Sequence, residues 1–202
     1  MTYKHLFQRA LAAAPDRLHF AAHSHHLWPD ASWLGHQAAW EDAARLADHK
    51  WGRVMGEILP AAQGEVAAEL RLPDPSTIVF AGNTHDLLLR IVSARSEQPV
   101  RILTSDGEFH SFRRQSQRWL ESGRVTLDII PNGEGFADRF LAAARTGPHD
   151  LIFVSQVMFE TGAVFAPLAE LGALADADGP WVVADGYHGF MALENDLSDV
   201  GD

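Results

Sequence analysis

The hydrophobic pattern changes character once along the chain, near Leu72. Up to that point apolar residues recur near helical spacing, most clearly after Pro29 and Asp30, which together are typical of a helix start. The apolar positions of this pattern are Trp33, Trp40, Ala44, Ala47 and Trp51. Residues 1–72 are therefore predicted to form an N-terminal helical segment with little strand character.

After Leu72, short β-rich apolar runs alternate with longer helical segments. The runs predicted to be strands are 77–81, 100–104, 125–130, 151–155 and 181–184. The segments predicted to be helices are approximately 86–94, 111–121, 136–145 and 168–177. Each of these segments is long enough for a crossover, and such crossovers connect parallel strands. The predicted fold class is α/β, with a three-layer αβα arrangement and a mostly parallel sheet over residues 73–202.

The composition is that of an ordinary globular protein, since 47% of the 202 residues are hydrophobic and 21% are charged. A formal net charge of −11, with no dense run of Lys or Arg, argues against nucleic acid and anionic membranes as partners. The absence of cysteine excludes disulfides, thiolate metal sites and cysteine nucleophiles. The sequence has no cleavable signal pattern and no apolar stretch of membrane-spanning length, so we predict a cytoplasmic location.

Polar residues follow the predicted strands. Gly82, Asn83 and Thr84 lie between the first predicted strand and a helix, and Asn83 or Thr84 is a natural N-cap. The free N–H groups and the dipole of a helix start favour an anion, and Gly82 permits close approach of a phosphate. A plain capped turn is the alternative interpretation of the same residues, because such turns are common connections.

Asp185 follows the last predicted strand, and His188 comes three residues later. A carboxylate there can cap a turn or bind a metal, but opposite a pyridine nitrogen it would keep that nitrogen protonated and strengthen the ring as an electron sink. Phe109 follows the second predicted strand and can lie flat on a heteroaromatic ring or pack in the core. Gln156 can bond a phenolic or carboxylate oxygen or simply lie in a loop. Together, these strand ends suggest a site for pyridoxal 5'-phosphate (PLP).

A dense histidine cluster, His23, His25 and His26, offers an alternative function. Imidazoles suit zinc, and these residues with Asp30 or a distant carboxylate could serve a metal-dependent hydrolase. Adjacent His25 and His26 diverge in most backbone conformations, so at most two of the three would readily share an ion. The cluster therefore favours a substrate-contacting or structural role over a metal site.

The order and spacing of these pieces resemble fold-type I PLP-dependent enzymes, particularly the class V aminotransferases and their kynureninase branch. The resemblance covers nearly the whole chain. Residues 17–29 resemble the entry segment of kynureninases. Residues 155–165 are similar to the kynureninase pattern Ser-Gly-Val-His-Phe-Tyr-Thr-Gly-Gln-His-Phe, and residues 185–188 fit the Asp-x-x-His that holds the pyridine.

The chain departs from these families at three places. Residues 23–26 replace the Asn-Ser-Leu-Gly turn of kynureninases, and Phe112 stands where their Phe-Pro-Ser-Asp motif places an acid. The cysteine desulfurases match less well, because their Asn-Asn-Glu-Thr-Gly motif reads Met-Phe-Glu-Thr-Gly over residues 158–162 and the chain has no cysteine. The substrate is therefore predicted only as an amino acid, with transamination, elimination or hydrolytic C–C cleavage as the reaction.

The resemblance implies a role for each candidate residue. Asp185 and His188 are the candidate catalytic residues, at the ring nitrogen and beside the ring. The candidate cofactor-binding residues are Gly82, Asn83, Thr84, Phe109, Gln156, Asp185 and His188, with Phe109 stacked on the ring. The candidate substrate contacts are His23, Ser24, His25 and His85. The resemblance also implies a homodimer, in which residues 1–72 contribute to a small domain and to dimer contacts.

The lysine to which this family attaches PLP has no counterpart in the chain. The two lysines, Lys4 and Lys50, lie far from the position that the family uses. By the resemblance, that lysine would follow Asp185 by a few tens of residues, just past Asp202. We therefore expect residues 73–202 to be a partial PLP-binding large domain, and the fragment to be inactive. A non-enzymatic alternative is a folded fragment that binds a partner through its tryptophans, although a tryptophan-rich amphipathic helix is also typical of a core.

Overall fold

The computed structural model describes residues 2–20 and 25–198, which divide into two compact units, Met1–Glu65 and Val66–Asp202. The described residues of the first unit, and those that follow it up to Leu70, are mostly helical, as the sequence predicts. The α-helices are α1 (Gln8–Ala13), α2 (Asp30–Leu46), α3 (Lys50–Arg53) and α4 (Leu59–Leu70). Short 3-10 turns at Lys4–Leu6 and Ala47–His49 and a π-helical turn at Val54–Ile58 join or precede them.

The tryptophans of the first unit are exposed. None of the residues of α1, α2 or α3 is buried. Trp28 is 70% exposed and Trp40 is 73% exposed, and Trp33 and Trp51 also lie largely in solvent. The interpretation of this helix pattern as a core is therefore wrong within the unit itself, and the apolar side chains form its surface.

The second unit contains a four-stranded parallel sheet, which confirms the predicted fold class. Its strands are β1 (Val100–Ser105), β2 (Val125–Ile130), β3 (Leu151–Ser155) and β4 (Trp181–Asp185). Their order in the sheet is β2-β1-β3-β4, and every neighbouring pair is parallel. The carboxyl ends of the strands consequently meet at one edge, where an open α/β sheet binds its ligands.

Helices cover both faces of this sheet and produce the three layers. Helices α5 (Thr84–Ala94) and α6 (His110–Glu121) pack on one face, and α7 (Phe136–Thr146) and α8 (Leu168–Gly172) pack on the other. The first core includes Leu88, Val92, Ile102, Phe112, Trp119, Leu151 and Phe153. The second core includes Leu103, Phe140, Leu141, Ile152, Val154 and Leu171. Successive residues of β1 and β3 thus alternate between two buried cores, which explains their continuous apolar runs.

Two predicted elements differ from the structure. The predicted strand at 77–81 is wrong, because Pro75–Thr77 forms a 3-10 turn and no described strand pairs with the residues that follow. The Asp74 carboxylate caps that turn by accepting from the Ser76 N–H at 2.8 Å. The helix predicted over 168–177 ends at Gly172. Among the described residues, no helix is both long and apolar enough to cross a membrane.

Candidate functional site

Three adjacent strands end in polar side chains at the carboxyl edge of the sheet. Ser105 ends β1, Ser155 ends β3 and Asp185 ends β4. Ser155 and Asp185 are register partners, so their side chains leave neighbouring strands at the same level. The fold therefore brings the predicted carboxylate to the edge that the sequence indicated.

Local hydrogen bonds fix the position of Asp185. One carboxylate oxygen accepts from the backbone N–H of Tyr187 at 3.0 Å, and the Asp185 carbonyl accepts from the N–H of Gln156 at 2.9 Å. The first bond closes an Asx turn, a common way for aspartate to start a loop after a strand. The other carboxylate oxygen can act as an acceptor for a ligand.

The start of α5 lies beside Asp185 on the same face of the sheet. Of the two predicted N-cap candidates, Asn83 and Thr84, Asn83 is the N-cap of α5, because its side chain accepts from the Asp86 N–H at 2.9 Å. A cavity of about 300 Å³ is lined by residues of α5, β3 and β4, among them Thr84, His85 and Asp185. The Nδ1 atom of His85 is buried and has no hydrogen-bond partner among the described residues. This cavity therefore combines a carboxylate, a helix start and an orphaned imidazole nitrogen.

Aromatic rings from three loops meet at this edge of the sheet. Phe109 contacts Phe159 edge-on, with ring centroids 4.9 Å apart, and lies 6.2 Å from the ring of His188. The ring of His110 lies 3.9 Å from that of Phe109. Phe109 is half-buried. The structure thus brings the two predicted ring contacts, Phe109 and His188, into one cluster.

Gln156 is engaged within the chain. Its amide Nε2 donates to the Asn195 side-chain oxygen at 2.6 Å. Its Oε1 lies where a side chain at Gly189 would stand, since a Cβ added there would be 2.0 Å from that oxygen. In this arrangement Gln156 holds the segment after β4 against the sheet, and a direct bond to a cofactor stays a prediction.

Sequence reasoning missed Glu108, the most deeply buried ionisable group at the site. Its side chain is 2% exposed, and its two oxygens accept from the hydroxyls of Ser105 at 2.6 Å and Ser155 at 2.5 Å. The pKa of Glu108 is raised to about 7, mainly by burial and to a smaller extent by the nearby Asp185 charge, while the two serine hydrogen bonds oppose the rise. The signal was a glutamate three residues after the end of β1, but its serine partner at position 155 is distant in sequence.

The histidine cluster carries no metal arrangement in the described part of the chain. His25 and His26 are exposed, and His23 and Ser24 lie outside the described residues. Within 2–20 and 25–198, no group of three His, Asp or Glu side chains is placed to hold a metal ion. The metal-dependent hydrolase alternative therefore gains no support from these residues.

A larger groove of about 1080 Å³ is lined by residues of α6 and of the strands β1 and β2. It is lined by Arg113, Arg114 and Arg118, with Leu127 and Ile129 of β2 on its other side. The three arginines are exposed. This groove shares His85, Ser111 and Phe112 with the smaller cavity but does not include Asp185.

Comparisons with known proteins give partial matches. No family model matches the chain. A segment of 70 residues is 41% identical to the 8-amino-7-oxononanoate synthase of Burkholderia thailandensis, and 74 residues are 41% identical to the same enzyme of Burkholderia vietnamiensis. These segments span 35% and 37% of this chain but only 18% of either synthase.

Solved structures resemble the chain over a much greater length. A lysine-to-alanine mutant of C-DES, with glycine covalently linked to its PLP cofactor, matches 99% of this chain with a TM-score of 0.79 and 19% identity. The cysteine desulfurase CsdA from Escherichia coli matches 87% of the chain with a TM-score of 0.67 and 20% identity. The chain covers 53% and 46% of these two proteins, about half of their length. At such identities the likeness establishes the fold.

Proposed function

We propose that this chain supplies the cofactor-binding part of a PLP-dependent enzyme that acts on an amino acid. The observation that carries the proposal is the cavity shared by Asp185 and the start of α5. Its lining offers both a carboxylate for a protonated ring nitrogen and a helix N-terminus for a phosphate. The C-DES structure that shares this fold holds PLP, which supports the same cofactor here.

The residues present fit this cofactor. The orphaned Nδ1 of His85 lies at the α5 start and provides a polar partner for a phosphate or for a substrate group. Gly82 is exposed, so the turn before α5 is accessible to a ligand. Asn83 shapes this turn by capping the helix, which leaves the neighbouring N–H groups available for an anion.

We assign the remaining roles by chemistry and position. PLP, when bound, withdraws electrons from the substrate amino acid through its protonated ring. Asp185 would hold the proton on the ring nitrogen, and Phe109 would cover one face of the ring. His188, close to Phe109 in the aromatic cluster, would lie beside the ring and could exchange a proton with the substrate at its imidazole.

The finer subtype rests on the sequence motifs. We propose a class V aminotransferase or kynureninase-like enzyme, with transamination, elimination or hydrolytic C–C cleavage as the reaction. The similar proteins are named as a synthase, a lyase and a desulfurase. Because these names describe different reactions, they support the PLP cofactor but do not indicate which bond this enzyme breaks. We further propose that turnover needs a lysine that neither Lys4 nor Lys50 provides, because neither occupies the sequence position at which the resembled family carries its Schiff-base lysine.

We also propose that the protein forms a homodimer through its first unit. Solvent-exposed Trp28, Trp40 and Trp51 give this unit an apolar surface of a kind that is enriched at protein interfaces. Sedimentation equilibrium tests the proposal. A dimer that Trp40→Glu dissociates would support it, and a monomer at all concentrations would contradict it.

The test of the proposed cofactor is an absorbance titration with PLP in the presence of glycine. We expect the wild-type chain to bind PLP, and Asp185→Asn to weaken binding about tenfold or more, since the ring nitrogen loses its anionic partner. The matched control is Asp178→Asn, at an exposed loop position outside the cavity, which should bind as the wild type does. Equal affinity of all three proteins, or no binding by the wild type, would contradict the proposal.

A further inference from the structure

The Glu108 carboxylate connects the ends of two neighbouring strands. Oε1 accepts from the hydroxyl of Ser105 at the end of β1, and Oε2 accepts from the hydroxyl of Ser155 at the end of β3. Ser105 also accepts from the Gly107 N–H at 3.2 Å, which closes the turn that returns Glu108 to the sheet. Both carboxylate oxygens are therefore engaged by a short, closed network.

This network adjoins the strand end that carries the proposed ring-nitrogen partner. Ser155 is the register partner of Asp185. The two carboxyl groups are close enough for the charge of Asp185 to raise the pKa of Glu108, in addition to the larger effect of burial. Glu108 makes no ion pair with a Lys or Arg among the described residues. A second carboxylate is thus buried beside the first without a cationic side chain to balance it.

A purely structural role does not account for the residue type. A glutamine at position 108 could accept from one serine and donate to the other, and it would avoid the cost of burying a charge. An ionisable carboxyl at position 108 instead makes the negative charge near Asp185 depend on pH. Since attraction between charges is strong in a buried environment, that charge would act on a cationic ring nitrogen at Asp185.

We propose that Glu108 is a positioning residue of the cofactor site, which holds Ser155 at the sheet edge beside Asp185 and adds a second negative charge near the ring nitrogen. This inference rests on the proposed PLP function. It assigns no bond-making step to Glu108. The groups that face Glu108 are the hydroxyls of Ser105 and Ser155 and the carboxylate of Asp185.

The first test compares the PLP affinity of the wild type and Glu108→Gln between pH 5.5 and 8.5. The glutamine keeps the shape and the hydrogen bonds, so we expect both proteins to fold and to bind similarly at low pH, where Glu108 is neutral. As the pH rises through about 7, the ratio of the two dissociation constants should grow by about three- to tenfold. The titration of free PLP cancels in this ratio, because it affects both dissociation constants equally. A ratio that is constant with pH would overturn the inference.

The second test needs no cofactor. The ¹³C chemical shift of the Glu108 carboxyl gives its titration midpoint, and we expect Asp185→Asn to lower that midpoint, because a neighbouring negative charge is removed. A midpoint that Asp185→Asn leaves unchanged, in a chain that binds PLP, would overturn this inference alone. If Asp185→Asn lowers the midpoint of Glu108 but the chain binds no PLP, the proposed function on which this inference rests would be overturned instead.

Discussion

Ser155 and Asp185 occupy the last positions of adjacent parallel strands and are paired in register. The bond from the Gln156 N–H to the Asp185 carbonyl, at 2.9 Å, continues this pairing one residue beyond the strands. Asp185 is consequently held by the sheet itself, and its carboxylate is further fixed by the Tyr187 N–H. A rigid strand end is a precise support for a functional side chain, since little conformational entropy remains to be lost on binding.

The buried Glu108 should make the stability of the protein depend on pH. Its pKa is raised from 4.5 to about 7 in the folded protein, so the folded state binds the proton more tightly than the unfolded state. The free energy of unfolding should therefore fall as the pH rises from about 4.5 to about 7, by up to about 3 kcal/mol in total. Urea titrations across this range should give a smaller fall for Glu108→Gln. Parallel curves for the two proteins would contradict this expectation.

The stacked pair Phe112 and Phe153 should dominate the core beneath α6. Phe112 is 3% exposed, and the two ring centroids are 3.9 Å apart with nearly parallel planes. Phe112→Ala should lower the free energy of unfolding by about 3–5 kcal/mol, through lost burial and the cavity that remains. Phe80→Ala, at a residue that is half exposed, is the matched control and should cost less than about 1 kcal/mol. Comparable losses in urea unfolding would argue against this assignment of the core.

The position of the Gln156 side chain should require a glycine at position 189, because Gln156 fills the space that a side chain there would occupy. In Gly189→Ala the new methyl would meet Gln156 Oε1 at 2.0 Å and Cδ at 2.7 Å, so the Gln156 side chain must move, and we expect this movement to weaken its bond to Asn195. We expect a loss of about 1 kcal/mol in urea unfolding. Gly186→Ala is the control, because its methyl would meet the same Gln156 oxygen at an ordinary 3.7 Å. Equal stability of the two variants would contradict the requirement for a glycine at position 189.

The sequence was most informative where structure depends on local pattern. The strands Val125–Ile130 and Leu151–Ser155 have the predicted bounds, since each is an apolar run between turn residues. The run after Pro75 has similar composition, but Val79 and Phe80 remain exposed and no described strand pairs with them. Strand formation depends on a partner, and a propensity pattern does not contain that information.

In the candidate site, too, features that depend on local pattern could be predicted and contacts between distant residues could not. Asp185, Phe109 and His188 could be located from their positions after strands, because parallel strands bring their carboxyl ends together. The role of Glu108 could not be found by that reasoning, since its hydrogen bond to Ser155 joins residues 47 positions apart. Gln156 was found, but its bond to Asn195 also depends on a contact between distant residues, 39 positions apart.

The most direct test of the proposed role of Asp185 is the protonation state of the ring nitrogen in bound PLP. The ¹⁵N chemical shift of labelled PLP bound to the chain should indicate a protonated ring nitrogen across neutral and mildly alkaline pH, where free PLP loses that proton. In Asp185→Asn, loaded with enough PLP to saturate it, the bound ring nitrogen should lose its proton at lower pH. A ring nitrogen that titrates identically in the two proteins would contradict the assignment of Asp185 as its partner.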